Sequence, residues 1–126
     1  MAQAAVKIFE SAPDERADNA AIDRSHLSRM TFGDQSLERE VLQLFDRQAE
    51  LLMERMSASE PAAIATLAHT LKGSASGIGA GRVARAAEAT ELAASQAPSK
   101  CGLAIAELAR SVEEARAQIA GLLRAH

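Results

Sequence analysis

From residue 37 to 56, and again from 105 to 122, apolar side chains return at steps of three and four, and no stretch of the chain alternates in steps of two. Leu37, Val41, Leu44, Phe45, Leu51, Leu52 and Met56 mark the first stretch, with Gln48 in the same rhythm. Ile105, Leu108, Val112, Ala115, Ile119 and Leu122 mark the second. Each residue advances about 100° around an α-helix, so these spacings gather the apolar groups on one face. A half-buried strand would need strict alternation instead. With three phenylalanines and neither tryptophan nor tyrosine, a core must be built from Leu, Ile, Val, Met and Ala, which is how helix bundles are filled. A chain of 126 residues is long enough for one such core and too short for two.

Punctuation divides the rest. Residues 1–19 hold a short apolar spot (Val6, Ile8, Phe9) followed by Ser11-Ala12-Pro13-Asp14, and are expected to form a loosely ordered tail. The folded unit is expected over residues 20–126. It begins with a short helix near residues 20–30, anchored by Ile22, Leu27 and Met30. Gly33 stops that helix and Asp34 is the N-cap of a long one running to about Ser57. Ser59-Glu60-Pro61 reads as a capping hydroxyl with proline in the first turn, opening a helix to about Gly77. Gly77, Gly79 and Gly81 cluster as a turn. A helix near residues 82–95 ends at Ala97-Pro98, and the last starts near Ser99. The expected fold is therefore all-α: an antiparallel up-down-up-down four-helix bundle with a short additional N-terminal helix. No internal repeat of solenoid length is visible.

Composition narrows the function. The net charge is −3, with 14 basic against 17 acidic residues and the signs interspersed. Neither a basic patch nor aromatic stacking platforms are present, so nucleic acid is not an expected partner. One cysteine, Cys101, excludes an internal disulfide and fits a reducing compartment. No apolar run approaches a membrane span and no signal peptide opens the chain, so a cytoplasmic, membrane-free protein is expected. There is no Gly-x-x-x-x-Gly-Lys loop, and the glycine cluster at 77–81 follows no strand, so no nucleotide site is expected.

The segment from Ile64 to Ile78 carries the chemistry. On a helical wheel Ile64, Leu67, Ala68, Leu71, Ala75 and Ile78 share one stripe roughly 100° wide, and His69 lies roughly 150° from its centre. The imidazole therefore points to solvent. A plain solvated face would be crowded with long charged side chains. Here small residues, Ala65, Gly73 and Ser76, frame one imidazole and one ammonium, that of Lys72. Gly73 in a helix interior costs roughly 1 kcal/mol relative to alanine, and what it offers in exchange is close approach of another surface to His69. A lone exposed histidine is ordinarily just a surface residue; the glycine, lysine and small-residue frame is what sets this one apart. His26 and His126 have no such frame. Cys101 has no local histidine partner, and packing is its expected role.

His69-Thr70-Leu71-Lys72-Gly73-Ser74, followed by Gly79, resembles the signature of histidine-containing phosphotransfer domains, His-x-Leu-Lys-Gly, then small residues and a glycine-containing turn. The similarity extends upstream through Ile22-Asp23, Leu27, Met30, Gly33-Asp34, Leu37 and Phe45, and downstream through Arg82-Val83 and Glu88 to Glu91. The resemblance implies a phosphocarrier, with no ATP site of its own, that shuttles a phosphoryl group between His69 and the aspartates of receiver domains. His69 would be the phosphoacceptor, Lys72 a positive charge near the phosphoryl oxygens, and Gly73 the clearance for the partner. Glu91 would hold the other ring nitrogen, fixing the tautomer. Lys72, Gly73, Ala65 and Ser76 would line the partner contact. Partners would be receiver domains of response regulators or hybrid histidine kinases, and Mg²⁺ would sit on the receiver, with no cofactor bound by this chain. A monomer is expected, since the bundle closes its own core. Thr90 departs from the larger apolar residue that the family tends to have there.

Three other readings fit a helical bundle. The dimerisation and phosphotransfer module of a sensor kinase would have an acidic residue after the histidine and a proline a few positions on, where this chain has Thr70 and Gly73. A metal-binding bundle would want inward Glu-x-x-His pairs, which the sequence lacks. A non-catalytic helical adaptor that binds signalling proteins without being phosphorylated would leave His69 incidental.

Overall fold

The computed structural model describes residues 20–125; the tail expected over 1–19, and His126, lie outside them. Helix α1 spans Arg24–Met30, α2 Gln35–Met56, α3 Pro61–Ile78, α4 Gly81–Gln96 and α5 Cys101–Ala125, with a 3₁₀ turn at Pro98–Lys100 before α5. Short connections force α2 to α5 to run up and down. Each of these four packs on two neighbours, α3 on α2 and α4, and α5 on α4 and α2, so the four close a ring around one core, and α1 rests on α3.

Apart from Phe45 the core is aliphatic, as the composition requires. Leu27, Leu42, Met56, Leu71, Val83, Leu108 and Ile119 are all buried to 1% exposure or less. Burial of each such side chain contributes about 1.5–3 kcal/mol. Between them, Ala49, Ala68, Ala75, Ala87 and Ala115 are fully or almost fully buried and let the helices approach closely. Thr90 is fully buried too, and its hydroxyl donates to the Ala86 carbonyl at 2.9 Å, so its polarity is satisfied within its own helix.

On α2 the inward face differs from the sequence expectation. The buried row is Leu42, Phe45, Ala49, Leu52 and Met56, whereas Leu44 is 59% and Leu51 45% exposed. The helix carries two apolar rows one residue apart, and periodicity alone does not say which of them meets the neighbouring helices. Met30, expected as an anchor of α1, is likewise 52% exposed; Ile22 and Leu27 do the anchoring.

Helix ends follow the local chemistry. The Asp34 carboxylate accepts from the Ser36 and Leu37 amides, as its position before α2 implies. Asp23 does the same for Ser25 and His26 at the start of α1. Ser59 acts otherwise than expected. Its hydroxyl donates back to the Arg55 carbonyl at 2.7 Å, closing α2, while Glu60 takes the N-cap position of α3 without a side-chain bond and Pro61 leads the helix. Gly77 is helical; only Gly79, at φ 81°, makes the left-handed stop.

A strap crosses that stop. The Asp23 amide donates to the Gly79 carbonyl at 2.9 Å, and the Ile22 amide donates to Gln118 Oε1 at 2.8 Å. A Cβ on residue 79 would come within 2.9 Å of the Asp23 carbonyl oxygen. The strap thus joins α1, the end of α3 and the last turns of α5. On the other side of the bundle, Arg116 of α5 reaches α2, with Nε 2.7 Å from Asp46 Oδ1 and Nη2 3.6 Å from Glu50 Oε1. The hydrogen bond to Asp46 raises the pKa of this guanidinium further above its already high range. Arg39 adds a bond to the Leu123 carbonyl at 2.8 Å. No helix among the described residues is long and apolar enough to cross a membrane.

Candidate functional site

His69 sits in the middle of α3, on the side turned away from Ala68 and Leu71, both fully buried. Its side chain is 66% exposed. The +3 spacing puts Lys72 on the same flank, and the short turn at Gly79-Ala80 brings α4 back alongside, placing Glu91 opposite the imidazole. His69 Nδ1 lies 3.1 Å from Glu91 Oε2, and Lys72 Nζ lies 3.8 Å from Glu91 Oε1. One carboxylate therefore serves two donors.

The chemistry follows from this sharing. A carboxylate can only accept, so the neutral imidazole beside it carries its proton on Nδ1. That leaves the lone pair on Nε2, the nitrogen that faces away from Glu91. The Lys72 ammonium, half-buried, stands on the carboxylate's other oxygen. An anionic group arriving at Nε2 would find this ammonium about one turn further along α3.

The surroundings are open. Gly73 is exposed and Gly77 half-buried, and a Cβ added to either would meet nothing within 4 Å. Neither glycine is demanded by the packing of its own fold. Ser76 is exposed and Ala65 half-buried, one on each side of His69 along α3. Thr66 and Thr70, on the outer face, turn their hydroxyls onto backbone carbonyls of their own helix, Ala62 at 3.4 Å and Thr66 at 3.2 Å.

Of the positions singled out in the sequence, His69, Lys72 and Glu91 come together. Gly73, Ala65 and Ser76 frame them without contributing a bond to the trio. Leu44 and Leu51, expected from periodicity to face inward, stand exposed on α2. His26 lies half-buried on α1 with Nε2 buried and unbonded. Cys101 is buried at the start of α5, in a packing role. Among the described residues no group of three or more His, Cys, Asp or Glu is arranged to hold a metal ion.

The family model of the Hpt domain matches residues 35–121. The chain belongs to the Hpt domain family. It is a histidine phosphotransfer protein of the phosphorelay type, a phosphocarrier rather than a catalyst, and Hpt domains work with receiver domains. In fold it is similar to a crystal structure from rice assigned as a histidine-containing phosphotransfer protein, with TM-score 0.75 and 17% identity over 98% of this chain and 95% of that one. At that identity the likeness speaks for the helical bundle alone. No curated protein matches the chain.

Proposed function

We propose that His69 is the phosphoacceptor of this Hpt protein and that Nε2 is the atom that takes the phosphoryl group from a receiver aspartate. The observation that carries the reading is the 3.1 Å contact from Nδ1 to Glu91, which leaves Nε2 as the free nucleophile on a 66% exposed ring. In the transfer the Nε2 lone pair forms the N–P bond as the acyl–phosphate P–O bond breaks, and the electron pair returns to the aspartate oxygen. The Nδ1 proton stays in its bond to Glu91, so the positive charge the ring acquires faces a carboxylate.

Phosphoryl transfer needs in-line placement and charge neutralisation more than covalent help from the protein. Lys72 supplies one charge and can exchange its partner, from Glu91 Oε1 to a phosphoryl oxygen, through a small rotation of its stem. Gly73 supplies clearance, and Ala65 and Ser76 extend the low surface on which the receiver sits. Mg²⁺ belongs to the receiver's carboxylates, and neither an ATP site nor a cofactor is part of this chain's role. The relay runs in the cytoplasm, in keeping with the reducing setting that a lone thiol suits.

The test is incubation with a labelled phospho-receiver and Mg²⁺. The chain should acquire label that is acid-labile and alkali-stable, and His69→Gln should acquire none while keeping its helical content. Label retained by His69→Gln would sink the assignment. A wild type that stays unlabelled across a broad receiver panel would instead favour an adaptor.

A further inference from the structure

Phe32, in the turn between α1 and α2, is unfavourable where it stands for two reasons. Alone among the described non-glycine residues it has a positive φ, 56°, a region that strains a bulky side chain and suits glycine or asparagine. Its ring is also 89% exposed, and Met30 beside it is 52% exposed. The turn itself is closed. The Phe32 amide donates to the Arg29 carbonyl at 3.3 Å, the Gly33 amide to the Ser28 carbonyl at 2.9 Å, and the buried Thr31 hydroxyl to the Leu27 carbonyl at 2.9 Å. The ring is thus held outward, and packing among the described residues offsets neither the strain nor the exposure. Positive charge lies next to it. Arg24 and Arg29 of α1 are exposed, and neither forms an ion pair with another described residue. The acids that flank this helix, Asp23 and Asp34, have their carboxylates turned onto backbone amides.

We propose that the chain's own N-terminal segment doubles back over this surface, with Val6, Ile8 and Phe9 on Met30 and Phe32 and the acidic stretch after them along Arg24 and Arg29. Residues 10–18 hold four acids, Glu10, Asp14, Glu15 and Asp18, against one arginine, Arg16. The stretch is therefore opposite in sign to the exposed arginines of α1. Order along the chain agrees with order in space. A segment returning along α1 meets Arg24 and Arg29 first, with its acids, and brings its apolar group to the far end, where Met30 and Phe32 stand.

The tether fits this path. The bonds from the Ile22 amide to Gln118 and from the Asp23 amide to Gly79 fix the point from which the segment departs. From there α1 is about 10 Å long. Phe9 precedes Ala20 by 11 residues, a reach of up to about 36 Å. The exposed Leu92 and Leu103 stand near the turn between α4 and α5, at the far end of α4 from the strap. A tethered segment acts at an effective concentration on the order of millimolar. Two apolar side chains and two arginines then suffice to hold it, whereas a separate protein would need a much larger contact. This is what favours the segment over a second chain as the occupant. While it is in place, Phe32 is withheld from other proteins.

The chain has neither tryptophan nor tyrosine, so Phe9→Trp in the full-length protein provides a single fluorescent reporter. Its emission should lie to the blue of the same protein unfolded in urea, and should not change with protein concentration, because the contact is within one chain. Phe32→Asn should move the emission towards that of the unfolded chain, and Arg24→Gln combined with Arg29→Gln should move it part of the way. All three side chains are exposed, so circular dichroism should show unchanged helix content. Melting temperatures supply a second readout. Phe32→Asn relieves the left-handed strain and should raise the melting temperature by about 3 °C when Phe9→Ser has already removed the cover. With Phe9 intact the gain should vanish, since the same change then also removes a contact. An emission like that of the unfolded chain, or a blue shift indifferent to Phe32→Asn or to the paired arginine changes, would overturn the proposal. So would an equal gain in melting temperature with and without Phe9. A blue shift that develops only as concentration rises would overturn it too, and would give the surface to a second copy.

Discussion

Replacing Gly73 with alanine should strengthen the fold and weaken transfer at the same time. The position lies in the interior of α3, with no positive φ, and an added Cβ has open space around it. Alanine therefore gains the full difference in helix propensity, about 0.8–1 kcal/mol, with no steric loss against it. For a domain of this size that corresponds to a rise of about 4 °C in melting temperature. The same methyl occupies the clearance one turn from His69, and a misplacement of about 1 Å at a reacting centre can cost about 100-fold in rate. A single methyl should thus slow transfer from a phospho-receiver by about tenfold, and Gly73→Leu by about 100-fold or more. Thermal melts followed by circular dichroism, beside a time course of label transfer, read both effects on the same samples. An alanine variant less stable than wild type would show that the space above Gly73 is not open. A leucine variant that accepts phosphoryl at the wild-type rate would refute the clearance argument altogether.

Gly79→Ala should do the opposite to stability. It forces a Cβ into a left-handed backbone and to within 2.9 Å of the Asp23 carbonyl oxygen, and a loss of at least about 2 kcal/mol is expected in urea denaturation. Lys72→Ala should slow transfer by about tenfold without abolishing it, the worth of one partly solvated charge-assisted contact; a rate unchanged in a direct transfer assay would remove Lys72 from the site. Arg116→Met keeps the aliphatic stem and removes the pairing with Asp46 and Glu50. With both ends about a third exposed, the expected loss is about 0.5–1 kcal/mol by denaturant titration. Because the folded pKa of Arg116 is raised by Asp46, this contribution is fully present below the ordinary arginine range wherever the partner carboxylates are ionised. On the arginine side it is lost as strong alkali carries the pH through the raised value, so the gap between variant and wild type should not change between pH 6 and 9 for any reason located on Arg116.

The five helices and the outward turn of His69 were legible because each depends on short-range spacing. Asp34 before an apolar rhythm, Pro61 at a helix start and Gly79 after one are local signals, and each acts in the structure as local chemistry requires, with Glu60 rather than Ser59 as the cap at Pro61. Asp23 carried the same capping signal as Asp34 but fell within a stretch already read as helix. The inward face of α2 was not legible. Leu44 and Leu51 are larger than Ala49, yet Ala49 is the one buried, because close approach of α3 and α5 rewards a small residue there more than it rewards a leucine. Such preferences depend on residues distant in sequence. The pairing of Glu91 with His69 also joins distant residues, 22 apart in sequence and brought face to face by the Gly79 turn, and its expectation came from the family resemblance rather than from spacing.

The strap through Ile22 and Asp23 has a consequence for how the imidazole is presented. Helix α3 is held at its first turn by proline and at its last by Asp23 crossing Gly79, so the histidine rides on a beam clamped at both ends. Its aim does not wait on an approaching molecule to be set. Discrimination among visitors then rests on the contour and charge they bring, and little of their binding energy is diverted into ordering their host.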